Sequence, residues 1–324
     1  MTEPVAPVPP ARTQAEKLAA VAEEKAPSLA KRRLAVLFVR IFALMPLWLA
    51  HAVGATLGFI ASLLPTRERA TAATNIGLCF REKDAAWQKR LLRRHYIETG
   101  KAFAETCGIW TRPGDVYLSK VRHVVGHELL KAARESGDGI LLMVPHLGNW
   151  EIAGNWCTSR FPVTGLYRPG KYPEIDDIMR IGREQFQGTT APTDASGVRT
   201  MVKTLAGGGV LLILPDHEPD HTGGEFSPLF GVPALTGTLT SKLVNGRLPI
   251  RTLLLYARLL PWAQGWEMVF READPALRND DLAESLAALN RSVEKLIREC
   301  PEQYQWTYKR FKRFPKGGQK VYTR

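Results

Sequence analysis

With 324 residues, 45% of them hydrophobic and 23% charged, the chain has the apolar content of a folded core, which excludes a wholly disordered protein. That length holds one large α/β domain with appendages, or two small domains. A formal charge of +12 points to an anionic partner and leaves nucleic acid, anionic lipid and an acidic carrier protein all open.

Residues 1–30 are rich in Pro, Ala and charge and poor in large apolar side chains. Such a segment cannot bury enough surface to offset its ordering entropy, so it reads as a flexible tail. It has no early apolar core and is not a secretory signal. From Ile41 to Leu64 there is no Asp, Glu, Lys or Arg, and roughly 20 such residues suffice to cross a bilayer. Pro46 and His51 interrupt that run. Lys31, Arg32 and Arg33 precede it and Arg67 and Arg69 follow it, so charge gives no orientation. A pair of short helices lying in the interface would read the same way. Residues 31–66 are therefore expected to associate with a membrane, spanning or lying in it.

Residues 83–110 read as an amphipathic helical region. Beyond them the periods shorten, with strands expected at about 119–125, 140–144, 163–167, 209–214, 249–256 and 266–271. Helical patterns fall between them, at roughly 127–136, 149–158, 174–187, 197–206 and 280–299. Alternation of this kind predicts an α/β fold over 67–318: an open, mostly parallel sheet flanked by helices. Residues 319–324 are left as a basic tail. The last 18 residues carry seven basic side chains and no acidic one, with aromatics interleaved. Such a stretch suits a membrane interface, and no nucleic-acid motif accompanies it. The four cysteines, Cys79, Cys107, Cys157 and Cys300, form no CxxC pair, which argues against a zinc knuckle or disulfide framework and for a reducing compartment.

The chemistry concentrates in "GILLMVPHLGNWEIAGNW", residues 139–156. His146 leaves a buried strand at its carboxyl end, where open α/β sheets place their sites. Gly148 and Asn149 provide a tight turn and a helix cap, putting Glu151 in the first helical turn. With His146 on the loop, the chain can fold back so that Glu151 touches the imidazole, fixes its tautomer and stabilises the imidazolium. The H-x4-E spacing alone is weak, because His123 and Glu128 share it; a solvated strand histidine and a first-turn glutamate explain that pair. No G-x-S-x-G is present, and Cys157 sits late in the following helix. The base would therefore activate an external nucleophile such as a substrate hydroxyl. A metal held by His146, Asp216 and His217 is conceivable, but no HExxH or other ligand pair at helical spacing occurs, and no metal is expected.

"PHLGNWE" resembles the first block of the bacterial lipid A late acyltransferases, the lauroyl/myristoyl transferase family, within the wider glycerolipid and lysophospholipid acyltransferases. "LYRPGKYPEIDDIMRIGREQF", "GGGVLLILPDHEPDHTGGEFSPLFGVPALTGT" and "PEQYQWTYKRFKRFP" are similar to later blocks of the same family, and the likeness covers about residues 35–318. The resemblance implies that His146 and Glu151 form a general-base dyad. The acceptor hydroxyl, on a lipid A precursor of the Kdo-lipid IVA type, would attack the thioester of an acyl chain on acyl carrier protein. The acyl donor is then a substrate, and no cofactor is implied. Arg183 and Arg168 match positions suited to an oxyanion or a phosphate. Gly148, Asn149 and Asp216 complete the expected substrate-binding set. One departure is that Asp216-His217-Glu218 stands where the family usually has Asp-Gln-Asp. The resemblance places the enzyme at the cytoplasmic face of a bacterial inner membrane. Two other readings are a lysophospholipid acyltransferase using acyl-CoA or acyl carrier protein, and a membrane-surface binding protein without turnover.

Overall fold

The apolar run does not form one helix. α1 (Leu29–Leu44) and α2 (Leu47–Leu63) are separated at Pro46, which lacks an N–H and pushes its predecessor into extended backbone; Met45 has φ −71° and ψ 140°. The same logic ends α2 before Pro65, and Thr66 then caps α3 (Arg67–Cys79) by accepting from the Arg69 N–H at 3.1 Å. α3 was not anticipated, because its apolar positions are mostly alanine. The amphipathic region forms α4 (Ala85–Thr111), capped by Asp84. The computed structural model describes residues 28–167, 172–219, 223–318 and 320–322. Almost all of the expected 1–30 tail lies outside the described residues, and so does Arg168.

α2 and α4 touch backbone to backbone: a Cβ added to Gly100 would lie 2.0 Å from the Gly54 carbonyl oxygen. The apolar helices are thus packed onto the rest of the fold, with no linker between them. Among the described residues no single helix is long and apolar enough to cross a membrane; α2 and α3 pass that test only as a pair bent by 83°.

A seven-stranded sheet follows, made of β1 (Val121–Val125), β2 (Gly139–Met143), β3 (Val163–Tyr167), β4 (Gly188–Pro192), β5 (Val210–Ile213), β8 (Ile250–Leu259) and β9 (Trp266–Glu272). Its spatial order is β1-β9-β8-β2-β5-β3-β4, with every neighbouring pair parallel except β8–β9. The central strand β2 is buried on both faces, which is why it reads as an unbroken apolar run. Leu141 and Met143 join the core on one side, and Ile140 and Leu142 the core on the other. The connections between strands carry α6 (His127–Glu135), α7 (Trp150–Thr158), α8 (Pro173–Glu184), α9 (Ala195–Ala206) and α10 (Leu239–Val244), while α5 (Asp115–Leu118) precedes β1 and α11 (Leu282–Glu299) follows β9.

All six expected strands and all five of the expected helices beyond residue 110 are present, with ends shifted by up to three residues. Three strands were missed. β4 is an edge strand of sequence GTTAP with one buried residue, so it has no apolar signature. The hairpin of β6 (Gly224–Leu229) and β7 (Val232–Gly237) carries Pro228 and Pro233, which argue against strands by sequence alone. The basic C-terminal stretch is partly core. Arg310 is buried and donates from Nη1 to the Leu235 carbonyl at 2.7 Å, and Phe311 is buried beside it. Within the expected 319–324 tail, the Tyr322 hydroxyl turns back and donates to Asn75 Oδ1 at 2.5 Å.

Candidate active site

β2 and β5 are neighbours, so their carboxyl ends deliver two side chains from residues 70 apart. His146 follows β2 and Asp216 follows β5. His146 Nδ1 lies 2.9 Å from Asp216 Oδ1, and the His146 backbone N–H donates to Asp216 Oδ2 at 3.1 Å. Asp216 is 2% exposed. Burial pushes its pKa up, but the adjacent His146, the hydrogen bonds from it and the nearby His217 outweigh burial and hold the carboxyl well below its usual range. Ionised, it can only accept, so the proton of a neutral His146 sits on Nδ1 and Nε2 carries the free lone pair.

The rest of the cage is aromatic. His217 stacks on His146 with ring centroids 3.6 Å apart and planes 1° from parallel; Tyr308 stacks on the far face of His217 at 3.7 Å. Trp150 meets His146 edge-on at 5.0 Å. The Gln305 side chain sits 2.8 Å from His217 Nε2, and the Gln305 N–H donates to the His146 carbonyl at 3.0 Å. Burial first, and the adjacent His146 second, push the His217 pKa down to about 4, against the pull of Asp216. His217 is therefore neutral at pH 7. The ligand atoms of His146, Asp216 and His217 fall within 4.8 Å of one another. Imidazole binds a metal in its ring plane, however, and two parallel planes at this spacing cannot share one ion.

The turn after His146 forms as its residue types suggest. Gly148 has φ +62°, and a Cβ there would lie 2.0 Å from the Ala257 carbonyl oxygen. Asn149 caps α7, its Oδ1 accepting from the N–H groups of Glu151 and Ile152 at 3.1 Å each. The expected contact between Glu151 and His146 is not the one made. Arg183, in the last turn of α8, grips the buried Glu151 carboxylate with Nε at 2.8 Å and Nη2 at 2.5 Å, and Trp150 Nε1 donates to it at 3.1 Å. Burial raises the Glu151 pKa, and the Arg183 charge and hydrogen bonds more than reverse that. Five residues from His146 and on the far side of Trp150, Glu151 faces α8. The carboxylate on the imidazole is Asp216. Glu151 balances the Arg183 charge through Nε and Nη2 and leaves its Nη1 donors outside that pair.

A second buried cluster went unseen in the sequence. Glu105, fully buried in α4, accepts from Asn149 Nδ2 at 2.6 Å and from Trp266 Nε1 at 3.2 Å, while its other oxygen lies 2.6 Å from His51 Nε2 on α2. The only sequence signal was a histidine inside an apolar run. A cavity of about 220 Å³ opens beside it, lined by Ala102, Phe103, Trp110, Asn149, Trp150 and Leu259 among others. A smaller one of about 80 Å³ lies across Trp150, between Glu151, Arg183 and three glycines, Gly154, Gly165 and Gly188.

A family model described as bacterial lipid A biosynthesis acyltransferase matches residues 22–313. The chain belongs to that family. Its relatives include the lipid A biosynthesis lauroyltransferase of Escherichia coli (strain K12), 27% identical over 274 residues that cover 84% of this chain and 88% of the relative. The palmitoleoyltransferase of the same organism is 25% identical over 270 residues (83% and 87%), and its myristoyltransferase 23% over 292 residues (87% of each). The protein is thus an O-acyltransferase. A strand-end histidine held by a buried carboxylate can act as a base, and an apolar cavity adjoins it.

Proposed function

We propose that this acyltransferase moves a fatty acyl chain from acyl carrier protein to a hydroxyl of a lipid A precursor of the Kdo-lipid IVA type, with His146 as general base. The observation that carries the reading is the His146–Asp216 pair at the carboxyl ends of β2 and β5. His146 Nε2 takes the acceptor proton as the hydroxyl oxygen attacks the thioester carbonyl. The C–S bond then breaks, and the imidazolium returns the proton to the leaving thiolate. Asp216 fixes the tautomer before the step and balances the imidazolium during it. Glu151 acts through Arg183, holding α7 and α8 together beside the base. The apolar cavity lined by Phe103 and Trp150 supports binding of the acyl chain.

Charge supports this choice of donor and acceptor: a chain of net charge +12 suits an acidic carrier and a phosphorylated acceptor. The reaction would run at the cytoplasmic face of the inner membrane. Exposed apolar side chains on α1 and α2, among them Leu34, Leu37, Ile41, Leu44, Phe59 and Ile60, support helices lying in the interface. The test is transfer of labelled acyl chains from carrier protein to the lipid A precursor, with His146→Ala and Asp216→Asn alongside. Turnover by the wild type and loss in both variants upholds the reading. Transfer only to a lysophospholipid, or only from acyl-CoA, overturns the substrate assignment.

A further inference from the structure

The turn joining β8 to β9 holds Trp262 92% exposed, the most exposed large apolar side chain among the described residues. Trp262 (φ 59°, ψ 32°) and Ala263 (φ 56°) both lie in the left-handed region, a conformation that side chains bearing a Cβ adopt at a cost. The turn is nonetheless braced. Leu260 N–H donates to the Gly265 carbonyl at 2.9 Å, Arg122 Nε donates to the Gln264 carbonyl at 2.9 Å, and Trp266 N–H donates to the Lys120 carbonyl at 3.1 Å. The fold therefore holds a bulky ring out on a strained backbone, with 92% of its surface left uncovered by the described residues.

The turn's position says what it meets. Residues 261–263 pack against α2, and Ala263 adjoins the same apolar cluster as Leu47. The next residue, Trp48, is 64% exposed and continues the α1 stripe of Leu37, Ile41 and Leu44. Arg122, at the base of the turn, and Arg33 and Arg40, on α1, are exposed cations at that apolar face. Tryptophan over an apolar stripe rimmed by cations is the composition of a lipid interface.

We infer that the Trp262 turn is a second membrane anchor, inserting its indole into the interface of an anionic bilayer beside the α1–α2 face. This rests on the reading of the enzyme as one that works at a lipid surface. Vesicle binding needs no turnover, so it is judged separately from the transfer assay. A helical face and an insertion point off its axis fix a plane, which sets the orientation of the fold on the membrane where the helical face alone would allow it to roll.

The test is co-sedimentation of the full chain with vesicles of phosphatidylethanolamine and phosphatidylglycerol. Trp262→Ala should lower partitioning about tenfold, whereas Trp262→Phe should lose less. Trp262→Gly should lose binding equally while its melting temperature stays level or rises, because glycine relieves the left-handed strain. Transfer to a detergent-dispersed acceptor should be unchanged in all three. Unaltered vesicle binding by Trp262→Ala and Trp262→Gly overturns the inference. So does a raised KM for acyl carrier protein in detergent, which would make the turn a protein-docking site.

Discussion

His51 Nε2 on α2 lies 2.6 Å from Glu105 Oε2, and the other oxygen of that fully buried carboxylate holds the side chain of Asn149, the cap of the helix that follows His146. The apolar N-terminal helix pair is therefore wired into the active site, beyond any role as an anchor. Leaving a buried hydrogen-bonding group without its partner costs about 1–3 kcal/mol. His51→Ala should lower stability on that scale in urea denaturation and reduce transfer even in detergent. Glu105→Gln should be far milder, since the amide oxygen still accepts from Asn149 and Trp266. Deleting 35–64 should abolish activity in detergent as well as membrane recovery. A soluble, active deletion would sink this coupling.

The Asp216 contact predicts a specific pattern in the base. His146→Ala and Asp216→Asn should each lower kcat about 10²-fold or more, the latter because an amide can donate to Nδ1 and so move the proton to Nε2. His123→Ala should do little, since His123 is an exposed residue of β1. Full activity in Asp216→Asn would return the orienting role to another group.

How much of this was legible follows from where the information lies. Strand-end placement of His146, the glycine turn at Gly148 and the cap at Asn149 are local, set by an apolar run and two turn-forming residues, and all were read from the sequence. The partner of His146 was not. Asp216 reaches it only because β5 lies beside β2, and pairing order is a property of the whole sheet. Glu151 was nearest in sequence and drew the assignment, but its direction is fixed by helix phase and by Arg183, 32 residues away. The Glu105 cluster needed α2, α4, β9 and the cap of α7 to be brought together, and no window of sequence contains them.

Glu151 and Arg183 should behave as one unit. Glu151→Ala leaves a partly buried guanidinium without its carboxylate, and Arg183→Ala does the converse for a buried carboxylate. Each should lower transfer by about tenfold or more, and the double variant should be no worse than the poorer single one, giving a coupling of about 1–3 kcal/mol in a double-mutant cycle. Additive losses would mean that Glu151 acts on the reaction independently of Arg183.

Acid should loosen the fold well before carboxylates protonate. His95 is fully buried and its pKa is pushed down to about 4 by burial; His217 is also near 4, by burial and then by its neighbour His146. Unfolded, both titrate near 6.5. Between those values the unfolded chain binds protons that the folded chain refuses, so stability falls as pH drops from about 6.5 towards 4 and is level above 6.5. Each histidine contributes a slope of up to roughly 1.4 kcal/mol per pH unit. Asp216 works in a lower window: its depressed pKa adds stability that is lost only as pH falls below about 3.8. Urea midpoints measured from pH 8 to pH 4.5 should show the bend near 6.5. His217→Gln, whose amide can still bond Gln305, should remove about half of the slope and keep most of the activity. A midpoint that stays flat down to pH 5 would mean that these two rings take up protons in the folded protein as readily as in the unfolded chain.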